Sequence, residues 1–136
     1  MAVLFKNADI TIYNKYYDLA SDIYRYQRTT IKGVNWQNKR IGTVSDKGLL
    51  LADSTLIFVD KLDNYVSPKR FARLQPLERK KYFTFSIGDK IVKGEVDFEI
   101  TGLKPHSIAD LENEFDDVID IKSVNVLSDH FEIEGV

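Results

Sequence analysis

Side chains able to do acid–base or metal chemistry are few in this chain, and they are scattered. Its two histidines, His106 and His130, are well separated, and neither stands in a metal-ligand spacing such as i, i+4 with an acid. His106 follows Pro105 in a turn and His130 opens a strand edge, so both read as surface histidines. Glu95, Asp97 and Glu99 alternate along one stretch, which would put three carboxylates on one side of a strand and let them cradle a divalent cation. A solvated sheet face requires the same pattern. Gly88 and Gly94 have neither the spacing nor the following helix of a phosphate-binding loop. There is no cysteine, which removes disulfides, thiolate metal sites and thiol nucleophiles together. The expectation is no enzyme, no metal and no cofactor.

Aromatic and basic residues do interleave, in YNKYYD (13–18), YRYQR (24–28) and RKKYFTF (79–85). Stacking surfaces mixed with cations on a curved sheet are the means by which single-stranded nucleic acid is bound. The competing reading is that Tyr13, Tyr24 and Tyr26 flank strands, with rings buried and hydroxyls wet. An acidic final third would repel a nucleic-acid backbone.

The elements that would position these residues are mostly strands. Ile10 and Ile12 share one parity in ADITIY, Ile23 to Val34 is β-prone throughout, and TLIFV (55–59) reads as a strand buried on both faces. In YFTFSI, Phe83, Phe85 and Ile87 alternate with Tyr82, Thr84 and Ser86. After a Gly88-Asp89 turn, IVKGEVDFEI puts Val92, Gly94, Val96, Phe98 and Ile100 on an inner side and Lys93, Glu95, Asp97 and Glu99 on an outer one. Gly94 suggests a bend or bulge. Two strand-like segments around Ser128-Asp129 predict a terminal hairpin. Ser67-Pro68 opens a short helix that carries Phe71 and Leu74 and that Pro76 ends. Ser107 caps a second, IADLENEF, with Ile108, Leu111 and Phe115 on one stripe. These elements predict a mainly β fold, a small antiparallel β-barrel with two short peripheral helices.

At 136 residues the chain is expected to form one domain over 1–136, interrupted by a long loop at about 37–54. That loop is cationic at its start, with Lys39, Arg40 and Lys47, and then carries Leu49, Leu50 and Leu51. No segment reaches the length of a membrane span, and MAVLFKNADI lacks the features of a signal peptide, so a cytoplasm is the expected site of synthesis. The net charge of −2 argues against a protein that coats nucleic acid with its whole surface.

The charge is uneven, however. Lys69, Arg70, Arg73, Arg79, Lys80 and Lys81 face only Glu78 between Val66 and Lys81. From Pro105 onward Asp110, Glu112, Glu114, Asp116, Asp117, Asp120, Asp129, Glu132 and Glu134 face Lys122 alone. These are either two solvated faces or opposite patches that meet across copies, a heterologous contact of the kind that builds rings.

The order of motifs, ITIYNKYY, GVNW (33–36), LLLADSTLIFVD, YVSPKRF (65–71), GDKIVKG (88–94) and the DDVIDIKSVNVLSDHFEI hairpin, resembles the head-completion proteins of tailed phages and prophages, a family also described as minor capsid or head–tail connector proteins. The resemblance implies a small β-barrel with peripheral helices and no catalytic signature. It implies assembly as a ring, usually sixfold, in the virion neck, between a portal or adaptor ring and a tail terminator or tail tube, around packaged double-stranded DNA that is not read by sequence. In the head-closure or stopper subset, a long loop after the second strand projects into the channel, and that loop maps onto Gln37 to Ser54. Lys39, Arg40 and Lys47 would then meet phosphate. Leu49, Leu50 and Leu51 would pack against neighbouring loops or against the subunit's own barrel. Lys69, Arg70, Arg73 and Arg79 would face Asp110, Glu112, Glu114, Asp116 and Asp117 of the next subunit. An adaptor or tail-terminator ring of the same neck is the alternative within this class, and a single-strand-binding barrel is the alternative outside it.

Overall fold

The computed structural model describes residues 5–45 and 48–136, with side chains described everywhere in these ranges except 39–53. Six antiparallel strands close into a barrel. They are β1 (Ala8–Asp18), β2 (Ile23–Ser45), β3 (Gly48–Asp60), β4 (Lys90–Lys93), β5 (Val118–Val126) and β6 (His130–Gly135), in the spatial order β1-β2-β3-β6-β5-β4. Three short helices complete the fold: α1 (Pro68–Arg73), α2 (Pro76–Arg79) and α3 (Ile108–Glu114).

Strand parity sets the barrel core. Ile10 and Ile12 of β1, Ile57 and Val59 of β3, Ile119 and Ile121 of β5, and Phe131 and Ile133 of β6 are all buried inside. TLIFV is therefore half-buried rather than covered on both faces, since Leu56 and Phe58 keep partial exposure on the other side.

In β2 the parity changes. Ile31 pairs with Ile10 but Val34 with Ala8, so Lys32 and Gly33 together oppose Asp9. This bulge is built at Gly33, whose φ of +76° falls in the left-handed region that glycine tolerates. The Asp9 carboxylate accepts from the Gly33 amide at 2.9 Å. Beyond the bulge β2 leaves β1 and pairs with β3 from Asn35↔Phe58 onward.

YFTFSI does not form a strand. The segment makes a single bridge, Tyr65↔Phe83, yet Phe83 and Phe85 are fully buried in the barrel among Tyr65 and Phe131. Ile87, which shares their parity, is 72% exposed. The alternation reports one-sided burial, and a segment plugging a barrel has that property without a ladder.

IVKGEVDFEI likewise stops pairing after Lys93. Gly94, at φ +100°, turns the chain out of the sheet, and the segment after it is hydrogen-bonded to β1 through side chains. Thr11 Oγ1 donates to Gly94 O at 2.8 Å and accepts from the Val96 amide at 3.1 Å, which pins the segment there. Its inner parity does face a core, but a second one outside the barrel, made by Tyr13, Val92, Phe98, Ile100 and Leu111. The Tyr13 hydroxyl donates to Phe98 O at 2.6 Å, and burial pushes its pKa upward.

Local signals place the helices well. Ser67 Oγ accepts from the Arg70 amide at 3.4 Å and Pro68 occupies the first turn of α1. Ser107 and Asp110 form a reciprocal capping box on α3. Pro76 does more than end α1, because it opens α2. Proline favours the first helical position for the same reason that it breaks an interior one, so the described residues hold three helices rather than two.

Candidate functional site

The segment expected to be a loop at 37–54 is a β-ribbon. The β2–β3 ladder runs without a break from Asn35↔Phe58 to Ser45↔Gly48. Its flanking partners stop earlier: β1 leaves β2 at Ala8↔Val34, and β6 leaves β3 at Thr55↔Gly135. The pairs from Lys39↔Ser54 to Ser45↔Gly48, one for each residue from 39 to 45 and so seven in all, have no third strand beside them. At about 3.4 Å per residue they form an arm about 20 Å long.

The root of the arm is tightly held. Asn7 substitutes for a missing stretch of β1: its side chain donates to Trp36 O at 3.0 Å and accepts from the Trp36 amide at 2.8 Å. Trp36, 4% exposed, donates from Nε1 to Asn38 Oδ1 at 3.0 Å, and the Thr55 hydroxyl donates to the same oxygen at 3.1 Å. Asn7 and Asn38 are not visible as functional residues in the sequence, where lone asparagines read as turn formers.

Register distributes the arm's residues over two faces. The parity of Trp36 and Ile57 continues through Arg40/Asp53, Gly42/Leu51 and Val44/Leu49. The other parity carries Lys39/Ser54, Ile41/Ala52 and Thr43/Leu50. Leu49 and Leu51 therefore share one face and Leu50 takes the other. Lys39 and Arg40 also take opposite parities in the ladder. Lys47 lies outside the described residues. Both faces carry apolar positions, and an isolated two-stranded ribbon is marginally stable in water.

The two charge patches are only partly available. Asp110 is used in its own helix cap, where hydrogen bonds from the Ser107 backbone and hydroxyl hold its pKa low. Glu112 accepts from Lys90 Nζ at 2.9 Å, and Lys90 also reaches Asp120. Arg79 stacks 3.9 Å over the Tyr16 ring, and Arg70 lies over Tyr82 at 5.9 Å. Lys69, Arg73, Glu114, Asp116 and Asp117 are exposed and make no ion pair among the described residues. Glu95 and Glu99 are paired with Lys32 and Arg28. No group of three or more His, Cys, Asp or Glu among the described residues is placed to hold a metal ion. His130 sits between Asp129 (2.7 Å) and Glu132 (3.3 Å), whose hydrogen bonds raise its pKa.

One buried carboxyl makes no ion pair among the described residues. Asp89, 3% exposed, accepts from Asn14 Nδ2 at 2.8 Å and from the Lys15 amide at 3.1 Å. Asn14 also joins Thr84, donating to its carbonyl at 2.6 Å and accepting from its amide at 3.2 Å, so the cluster fixes β1 to the barrel plug. Burial outweighs these hydrogen bonds and pushes the Asp89 carboxyl from 3.8 up to about 6. Between those values the folded chain keeps a proton that the unfolded chain has released, so this group's stabilisation falls as pH rises through the window and is level above it. The loss is on the order of 3 kcal/mol. Urea unfolding of the wild type and of Asp89→Asn at pH 4 and pH 7 should show the wild type losing more stability over the interval. Equal changes in both proteins would remove Asp89 as the source.

A protein-family model matches residues 5–136, and its description is a family of unknown function, DUF6751. No curated protein and no solved structure matches the chain.

Proposed function

Since the chain belongs to the DUF6751 family, whose function is unknown, its own geometry must carry the functional reading, and we propose that it is a structural subunit of a phage head–tail connector ring, the head-closure ring of the virion neck. The observation that supports this reading is the two-stranded arm. It is built from the end of the second strand and the start of the third, over the segment where the resemblance to head-completion proteins puts the channel element, and its pairs have no third strand beside them. A ribbon with apolar positions on both faces and no covering strand gains its order from neighbours, as arms converging on a ring axis would supply.

In this reading the barrel and helices form the wall of a ring, usually sixfold, set between a portal or adaptor ring and a tail terminator or tube. The arm lines or blocks the channel, with Lys39, Arg40 and Lys47 contributing cations to phosphate without sequence reading. Few charges per copy suffice, because several copies face one duplex. The work is mechanical and electrostatic, and no bond is made or broken.

The test is location. Particles produced by the element that encodes this chain are purified and imaged with an antibody against it. Label is expected at the head–tail junction of every complete particle. Label along the tail, or none on complete particles, overturns the proposal.

A further inference from the structure

The β1–β2 hairpin separates the two charged helical units. On one of its faces, Gln27 Nε2 donates to Arg79 O at 3.0 Å and to Tyr82 O at 2.8 Å, and Tyr16 lies under Arg79. These contacts bind the α1–α2 unit. On the other face, Tyr13 and Tyr26 pack with Ile108 and Leu111 of α3. The basic unit and the acidic helix thus pack against opposite faces of one hairpin, and no ion pair joins them among the described residues. In the α1–α2 unit and the turn after it, Lys69, Arg70, Arg73, Lys80 and Lys81 are exposed and make no ion pair among the described residues, against the one acid Glu78; at the end of α3, Glu114, Asp116 and Asp117 are likewise exposed and unpaired. At the end of this hairpin, Tyr17, Leu19, Ile23 and Tyr24 are exposed by 41% to 86%.

We propose that copies of this chain join head to tail, the α1–α2 flank of one against the C-terminal end of α3 of the next, with the hairpin end supplying apolar area between them. The occupant of each surface is a second copy because the two unpaired patches are opposite in sign and lie on opposite sides of the chain. A contact between unlike patches of this kind repeats, and it closes into a ring when its rotation allows. Charge sets the register and the rate of encounter, while the apolar end provides a core inside a polar rim. This deepens the ring reading above, but it does not require that the ring sit in a neck.

The absence of cysteine makes the contact directly testable. Arg73→Cys and Asp116→Cys are made separately in the full chain, mixed in equal amounts at high protein concentration and low salt, and oxidised. The mixture should give a disulfide-linked dimer of one variant with the other, well in excess of either self-linked dimer. The doubly substituted chain should give a ladder of multimers that fades as salt is raised. Self-linked dimers in place of mixed ones would show a like-to-like contact and overturn the proposal, and so would the absence of mixed dimers both in solution and in purified particles. Mixed dimers from a protein absent from particle necks would leave this contact standing and remove the neck reading. Neck labelling without them would do the reverse.

Discussion

Joining Lys39 to Ser54 through a two-residue Asn-Gly turn should leave a folded barrel and, on the proposed function, give heads that fill and then lose their DNA. The first half of this result follows from register. Residues 40–45 pair only with 48–53 among the strands, while the clamp at the arm's root uses Asn7, Trp36, Asn38 and Thr55, all of which are retained. The turn suits a two-residue hairpin connection. The urea midpoint should therefore move by no more than the equivalent of about 1 kcal/mol, since a ribbon of two strands adds little stability of its own. The second half follows from the proposed function and is measured as DNA retained in purified heads, by nuclease protection. Heads that stay full and infectious would sink the gating role, and a large loss of stability would mean that the arm supports the barrel.

Phe85→Ala should be the most damaging single truncation, costing about 3–5 kcal/mol in urea unfolding. The Phe85 ring is 1% exposed and has the rings of Phe83 and Phe131 at 5.3 Å and that of Tyr65 at 5.8 Å. It enters the barrel from a segment with no ladder of its own, so that segment is held chiefly by what it buries. Ile87→Ala, two residues on at the same parity but 72% exposed, should change stability by less than about 0.5 kcal/mol. Similar costs at the two sites would mean that 82–87 behaves as a uniform strand rather than as a plug.

These sites show where sequence reasoning succeeds and where it fails. Helix starts at Ser67-Pro68 and Ser107 were readable because caps are satisfied within three residues. The terminal hairpin was readable because its turn is local. YFTFSI and the GEVDFEI part of IVKGEVDFEI read as strands but are not, while Ile91–Lys93 does lie in β4, because alternation records which side of a segment is buried, not whether its backbone has partners, and Tyr65 and Thr11 supply those contacts from far along the chain. The ribbon failed in the opposite sense. Its apolar positions fall on both parities rather than one, so QNKRIGTVSDKGLLLADS reads as a loop although the ladder from Asn35↔Phe58 to Ser45↔Gly48 is continuous. Asn7 and Asn38 left no signal, because a side chain standing in for a strand is indistinguishable in sequence from a turn former. The charge asymmetry was legible, but Asp110 and Glu112 are already engaged in a helix cap and with Lys90.

β2 passes from the hairpin that separates the helices to the tip of the arm with one bulge at Gly33 and no intervening loop. A single strand spanning both regions behaves as a lever with its fulcrum at the barrel wall. A tilt of about 10° at the fulcrum would carry the end of a ~20 Å arm by about 3.5 Å, roughly the thickness of one strand residue. In the proposed ring, that leverage would make the aperture a readout of how the subunits lean on one another. Pressure from a docking tail could then widen or narrow it without any subunit unfolding.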